Sequence, residues 1–92
     1  PVEIYPEMIH EEKPIYPRLA EQAGITGRVW VKALVDEQGN VMKAMVGKTS
    51  GTESLDKAAV DAAFKCKFKP GIQNQRPVKV WVTYKVDFTL EG

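Results

Sequence analysis

Residues able to act as metal ligands or nucleophiles are few in this 92-residue chain, which has one cysteine and one histidine. The single cysteine, Cys66, excludes an intramolecular disulfide bond and a metal site built from several cysteines. His10 lies among Glu7, Glu11 and Glu12, and one imidazole with flexible carboxylates would bind a metal ion weakly. We therefore expect His10 to be solvated, and we expect neither a metal nor a cofactor.

The serine residues and the one phosphate-loop motif also lack the partners that catalysis would need. A serine nucleophile would have to use His10 as its base, and neither Ser50 nor Ser54 stands in a nucleophile signature. Gly47-Lys48-Thr49 resembles the end of a phosphate-binding loop, but Met42 occupies the position of the first glycine in that motif. The sequence predicts that this protein is not an enzyme.

The charge balance argues against two classes of binding protein. Thirteen basic and twelve acidic residues leave a net charge of +1, whereas dedicated nucleic-acid binders and polybasic membrane-surface modules carry a basic excess. A short basic run, Lys65, Lys67 and Lys69, lies beside Phe64 and Phe68 and is typical of a solvated helix end. No apolar run approaches the ~20 residues that span a bilayer.

The first residues differ in composition from the rest. Residues 1–12 carry four glutamates and no lysine or arginine, and residues 1–17 hold four of the six prolines. We expect residues 1–13 to be an extended acidic segment at the end of a linker, and residues 14–92 to form one domain. A chain that begins at Pro1 is also expected to be a processed product or an excised fragment.

Hydrophobic periodicity predicts five secondary-structure elements. A short helix is predicted from Pro17 to Ala23, followed by strands from Gly27 to Asp36 and from Val41 to Gly47, with a bulge in the second strand. A second helix is predicted to run to about Lys67, and a long strand covers Val78–Leu90. The second helix should bury one stripe, formed by Leu55, Ala58, Ala59, Ala62 and Cys66.

This order of elements predicts an α+β fold with the sequence αββαβ. The three strands should form an antiparallel sheet in the order 2-1-3, with both helices packed on one face. The last strand would then lie at an edge of the sheet, where its outer backbone groups are free to pair with another chain.

The other face of that sheet is left open in this arrangement. Trp30 and Trp81 fall on it, and Phe64 lies opposite the buried stripe of the second helix, so these aromatic residues are a possible secondary interface. Alternatively, residues 2–9 fold back and cover the two tryptophans. The sequence leaves both arrangements open.

Taken together, these residues resemble the C-terminal domain of the TonB energy-transducer family over residues 14–90. The resemblance depends on the order and spacing of short motifs: Tyr16-Pro17 with Ala20, Gly27 with Val29 and Val31, Val35-Asp36, Gly39-Asn40-Val41, Ser50-Gly51, Leu55-Asp56 with Ala58-Ala59, Phe68-Lys69-Pro70, and Pro77-Val78 leading through Trp81 to Phe88.

The resemblance implies a periplasmic domain whose parent protein is anchored in the inner membrane of a Gram-negative bacterium. It implies binding to the TonB box of outer-membrane TonB-dependent transporters, with energy supplied by ExbB- and ExbD-type proton-channel proteins through the missing N-terminal part. The TonB box would add as a strand beside the last strand. That strand contributes Lys79, Val80, Trp81, Val82, Thr83, Tyr84 and Lys85.

The resemblance also assigns a binding role to the residues just before Tyr16, namely Lys13 and Pro14. This chain departs from the best-studied members at two positions, since they carry glutamine where it has Lys13 and tryptophan where it has Cys66. An accessory TonB-like domain of another envelope protein, binding peptides unrelated to transport, is the alternative. The open edge also leaves a strand-exchanged homodimer as an alternative to a monomer.

Overall fold

The computed structural model describes residues 1–90 and contains two helices and seven strands in that range. In chain order these are β1 (Glu7–His10), α1 (Arg18–Gln22), β2 (Gly27–Val35), β3 (Val41–Lys48), α2 (Glu53–Ala63), β4 (Lys67–Lys69), β5 (Gly71–Gln73), β6 (Arg76–Val78) and β7 (Val80–Phe88).

The central sheet is antiparallel and three-stranded, in the order β3-β2-β7, which confirms the predicted topology. Side chains alternate between the faces of a strand, so one face of β2 can be wholly apolar. Val29, Val31, Ala33 and Val35 fill this inner face and are completely buried. The opposite face of the sheet is called the outer face below.

Both helices pack on the inner face, as predicted. Ala20 of α1 and Leu55, Ala59 and Ala63 of α2 belong to one buried cluster with residues of β2 and β7. Alanine side chains let a helix lie close to a sheet, which explains their use here. The buried stripe differs from the prediction, because Ala63 is fully buried while Ala58 and Ala62 are only partly buried.

Helix α2 ends at Ala63, so its predicted extension to Lys67 is wrong. Beyond the helix, burial alternates: Cys66 and Phe68 point into the core, whereas Lys67 and Lys69 are exposed. This period of two belongs to a strand, and β4 begins at Lys67. The three lysines therefore do not lie in the last helical turn, which holds no basic residue.

The N-terminal segment pairs with this second half of the chain. β1 lies antiparallel to β4, and Ile4 forms an isolated bridge with Ile72. Met8 packs against the inner-face cluster that contains Phe68. The segment therefore lies away from Trp30 and Trp81, and the alternative in which it covers the two tryptophans is wrong.

Strand β3 is irregular, in agreement with the predicted bulge. Its register against β2 shifts twice, so that Met42 and Gly47 are each left without an opposing residue. The turn before β3 is held by Asp36, whose carboxylate accepts hydrogen bonds from the backbone N–H groups of Gln38 and Asn40, both at 2.9 Å. Strand β7 is shorter at both ends than the predicted Val78–Leu90.

Candidate functional site

Strand β7 offers a long and regular open edge. It pairs with β2 at nine consecutive positions, from Gly27 opposite Phe88 to Val35 opposite Val80, without a register shift. Within residues 1–90, no strand pairs with the other side of β7. Such an edge presents a row of backbone N–H and C=O groups to an added strand. The opposite edge of the sheet, β3, is disrupted by its two register shifts.

The inner side chains of β7 hold the strand in place. Val80, Val86 and Phe88 are buried, and the ring of Phe88 makes an edge-to-face contact with Tyr16, with ring centroids 5.3 Å apart. Tyr16 is itself fixed, because its hydroxyl donates a hydrogen bond to the carbonyl oxygen of Ile25. These contacts hold β7 in the extended conformation to which another strand could be added.

Burial affects the one phenol on the inner face of β7. Tyr84 packs against Phe68, with ring centroids 6.4 Å apart, and its hydroxyl lies 3.9 Å from the Sγ atom of Cys66. Burial raises the pKa of Tyr84 well above its usual value, and the neighbouring Cys66 adds to this effect. The phenol is therefore neutral at physiological pH. Cys66 fills core space as a small apolar residue, as predicted.

An ion pair joins β7 to β2 on the outer face. The Nε atom of Arg28 lies 2.6 Å from Oδ1 of Asp87, and a second guanidinium nitrogen lies 3.3 Å from Oδ2. The hydrogen bond from Arg28 lowers the pKa of the Asp87 carboxyl, and the same contact raises the pKa of Arg28. Both side chains are thus charged at neutral pH, and the pair joins two residues that lie opposite each other in the ladder.

A groove lies beside the C-terminal half of the β7 edge. It has a volume of about 480 Å³ and is lined on one side by Glu11, Lys13, Pro14 and Tyr16 and on the other by residues 85–89. Lys13 and Pro14 therefore line the same groove as Lys85, another of the residues predicted to bind a partner. Lys13 and Lys85 line this groove together with the anionic Glu11, while the carboxylate of Asp87 is paired with Arg28.

The other predicted site residues occupy different places. Val80 points into the core, and Val82 and Tyr84 are half-buried on the same face, whereas Trp81 and Thr83 are exposed on the outer face. Lys79 is exposed just before β7. Their backbones share one edge, but their side chains do not converge.

The two aromatic residues of the possible secondary interface do not form one surface. Trp30 is half-buried on the outer face, whereas Phe64 is the exposed C-cap residue of α2, in the helical layer. The groove also includes residues that sequence reasoning missed, among them Glu11, Tyr16 and Thr89. The Tyr16-Pro17 motif was the signal that could have placed Tyr16 there.

Two kinds of feature are not found in the described part of the chain. Among residues 1–90, no three His, Cys, Asp or Glu side chains come close enough to hold a metal ion. None of the helices in that range is long and apolar enough to cross a membrane. The most regular exposed backbone feature among these residues is the β7 edge.

Comparison with known proteins gives a consistent result. The family model for the Gram-negative bacterial TonB protein C-terminal region matches residues 12–90. Protein TonB of Vibrio cholerae is 40% identical over 80 residues, which cover 87% of this chain and 33% of that protein. Protein tonB2 of Pseudomonas aeruginosa is 35% identical over 82 residues, which cover 89% of this chain and 30% of that protein.

A solved structure has the same fold. The solution NMR structure of the Pseudomonas aeruginosa TonB CTD superposes with a TM-score of 0.76 and 25% sequence identity, covering 95% of this chain and 88% of that chain. The chain spans about a third of the length of the full-length relatives that it matches.

Proposed function

Because this chain belongs to the TonB protein C-terminal family, we propose that it is the partner-binding domain of a TonB-type energy transducer. Its ligand is the TonB box of outer-membrane TonB-dependent transporters, which adds as a strand to the open edge of β7. The observation that carries this proposal is the regular β7 edge, unpaired on one side within residues 1–90.

Strand addition suits an adaptor that must grip several partners. Main-chain hydrogen bonds supply the affinity, and they make little demand on the partner's sequence. The bonds run across the strand direction, so a pull along the strand loads all of them together. An added strand can therefore transmit force until the whole ladder yields.

The groove at the C-terminal half of β7 would receive one flank of the bound peptide. Lys13 and Pro14 approach the edge at Lys85, so a peptide paired with β7 would contact them when it leaves the sheet. In this chain the position that carries glutamine in the best-studied members is cationic. Lys13 keeps a binding role in this proposal, through charge and through the length of its side chain.

The wider assembly follows from the family. The parent protein would be anchored in the inner membrane and would reach across the periplasm through a proline-rich segment, of which residues 1–13 would be the end. ExbB- and ExbD-type proton-channel proteins would supply the energy through that N-terminal part. The domain itself binds and pulls, and this role needs neither a cofactor nor a catalytic residue.

An amide-resolved NMR titration with a TonB-box-like extended peptide tests the proposal. Shifts should follow the backbone from Val80 to Phe88 and include Lys13. A peptide of the same sequence with N-methyl groups at alternate residues is the matched control, because it keeps its side chains but loses ladder hydrogen bonds. It should bind at least tenfold more weakly.

Two results would contradict this proposal. Shifts centred on Phe64 or on the outer-face tryptophans would indicate a different binding mode on the same fold. No shifts at millimolar peptide would favour an accessory TonB-like domain that binds other envelope peptides.

A further inference from the structure

The outer face of the central sheet concentrates positive charge that the net charge of the chain conceals. Lys32 of β2, Lys43 and Lys48 of β3, and Lys85 of β7 are all exposed. Pairing places them on one face, because Lys48 opposes Trp30, Lys43 opposes Leu34, and Trp30 opposes Lys85.

Acidic residues are almost absent from these three strands. Of the twelve acidic residues in the chain, only Asp87 lies on β2, β3 or β7. Arg28 already pairs with it, at 2.6 Å. None of the four lysines forms a salt bridge within residues 1–90. Four lysines and Arg28 therefore face a single carboxylate, Asp87, which interacts with Lys85 as well as with Arg28. The resulting excess of four cations favours an anionic ligand.

Both tryptophans of the chain lie on this same face. Trp30 is half-buried, and Trp81 is 40% exposed as a residue. The Nζ atom of Lys32 lies 5.1 Å from the centroid of the Trp81 ring. A nucleic-acid base needs a free ring face on which to stack. Lys32 lies over one face of Trp81 and Trp30 is partly covered, so this surface is poorly suited to bases.

Lysine and tryptophan together match the chemistry of a bilayer surface. Tryptophan rings prefer the headgroup region, and lysine side chains are attracted to anionic phospholipids. We propose that the outer face of the central sheet binds a membrane surface that contains anionic phospholipids. This contact uses the face of the sheet and leaves the β7 edge free, so the domain can bind a peptide and a bilayer at once.

Vesicles give a direct test, because the only two tryptophans of the chain lie on the proposed contact face. The 92-residue protein is mixed with vesicles of phosphatidylglycerol and phosphatidylcholine, and separately with phosphatidylcholine alone. We expect a blue shift of tryptophan emission and quenching by brominated lipid with the anionic vesicles only. Each lysine near such a surface adds about fivefold to partitioning.

Matched charge variants separate this face from the overall charge. Lys43→Gln with Lys48→Gln should weaken partitioning roughly twentyfold, from two lysines at about fivefold each. Lys65→Gln with Lys69→Gln makes the same change in net charge at exposed positions away from the outer face, and it should weaken partitioning less than threefold. Circular dichroism confirms that both double variants are folded.

Three outcomes would overturn the proposal. One is that the protein binds both kinds of vesicle equally, or binds neither of them. Another is an equal loss of partitioning in the two double variants, which would mean that only net charge matters. The third is that the protein binds a single-stranded DNA oligonucleotide more tightly than anionic vesicles and that the Lys43 and Lys48 double variant loses this binding. That result would mean that the face binds nucleic acid.

Discussion

The backbone of Gly39, in the turn between β2 and β3, lies directly against the backbone of Phe68 in β4. The N–H of Phe68 donates a hydrogen bond to the carbonyl oxygen of Gly39 at 2.9 Å. A Cβ atom at Gly39 would lie 1.9 Å from the carbonyl oxygen of Phe68. This contact ties the central hairpin to the strand that holds the N-terminal segment.

Gly39→Ala should therefore destabilise the protein by about 3 kcal/mol or more. The substitution meets a backbone atom that cannot move aside, and it also places a side chain at a φ of 85°. Gly51→Ala is the control, because Gly51 has a φ of 90° but no atom within 4 Å of an added Cβ, and it should lose only about 1–2 kcal/mol. Urea denaturation measures both values. If Gly39→Ala and Gly51→Ala lose the same free energy of unfolding, the turn does not pack against β4.

The hydrogen bonds of the Asp56 carboxylate predict that the folded protein loses stability in acid. Its carboxylate accepts hydrogen bonds from the backbone N–H of Ser50 at 2.9 Å, the hydroxyl of Ser50 at 2.7 Å, and the hydroxyl of Thr49. Burial alone would raise its pKa, but these hydrogen bonds outweigh burial and lower the pKa below the usual value. A lowered pKa in the folded state stabilises the fold above about pH 4, and this contribution is lost as pH falls further.

Asp56→Asn should accordingly cost about 1 kcal/mol at pH 7 and much less near pH 2. Asp61→Asn removes an equal charge from the same helix, where Asp61 forms an exposed pair with Lys57 at 2.9 Å, and it should cost only a few tenths of a kcal/mol. Guanidinium unfolding of the three proteins across this pH range gives the comparison. If the difference in free energy of unfolding between wild type and Asp56→Asn does not change with pH, this account is wrong.

The two long strands of the central sheet, β2 and β7, could be predicted from the sequence because apolar residues occupy alternate positions along each of them. In β2, Val29 to Val35 alternate with exposed or half-buried residues, and local pattern alone fixes which side is buried. Strands β4, β5 and β6 have three residues each, too short for periodicity to appear, and β6 contains Pro77. The alternation at Cys66 and Phe68 was present but was interpreted as a helix end.

The site was only partly predictable for a different reason. An edge strand follows from strand order, so the backbone of β7 could be proposed as the binding element. The placement of Lys13 and Lys85 around one groove depends on the path of residues 1–13, and this segment pairs with β4 and β5. The positive charge of the outer face could not be predicted from the net charge of +1, because that number sums over the whole chain. The fold places the lysines of three strands on one face of the sheet.

The revised stripe of α2 is tested with two neighbouring alanines. Ala63 is completely buried, so Ala63→Leu should overpack the core and destabilise the protein by about 1–3 kcal/mol. Ala62 is half-buried beside an open cavity of about 220 Å³ that Lys13 and Ile15 also line, so Ala62→Leu should change stability by less than about 0.5 kcal/mol. Thermal unfolding distinguishes the two. A larger loss of stability in Ala62→Leu than in Ala63→Leu would instead support the buried stripe predicted from the sequence, which contains Ala62.

Removal of residues 1–10 tests the role of the N-terminal segment. The deletion removes β1 and the packing of Met8 against the cluster that includes Val41 and Phe68. The protein should become less stable and should bind more of a hydrophobic dye, because that cluster is uncovered. Tryptophan emission should not change, since both tryptophans lie on the opposite face. A red shift on deletion would mean that the segment covers them after all.

Proline substitutions in β7 test strand addition at single backbone groups. Neighbouring residues of a strand direct their N–H groups to opposite sides, so of Val82 and Thr83 one donates towards β2 and the other towards the open edge. Proline at the residue that faces the edge should abolish peptide binding with little loss of stability, because it removes only a free donor. Proline at the residue whose N–H faces β2 should lower the melting temperature, because it removes a hydrogen bond from the ladder with β2.

Thr83→Ala controls for the lost side chain and should bind the peptide normally. If both proline variants fold and bind the peptide like the wild type, the peptide does not pair with β7.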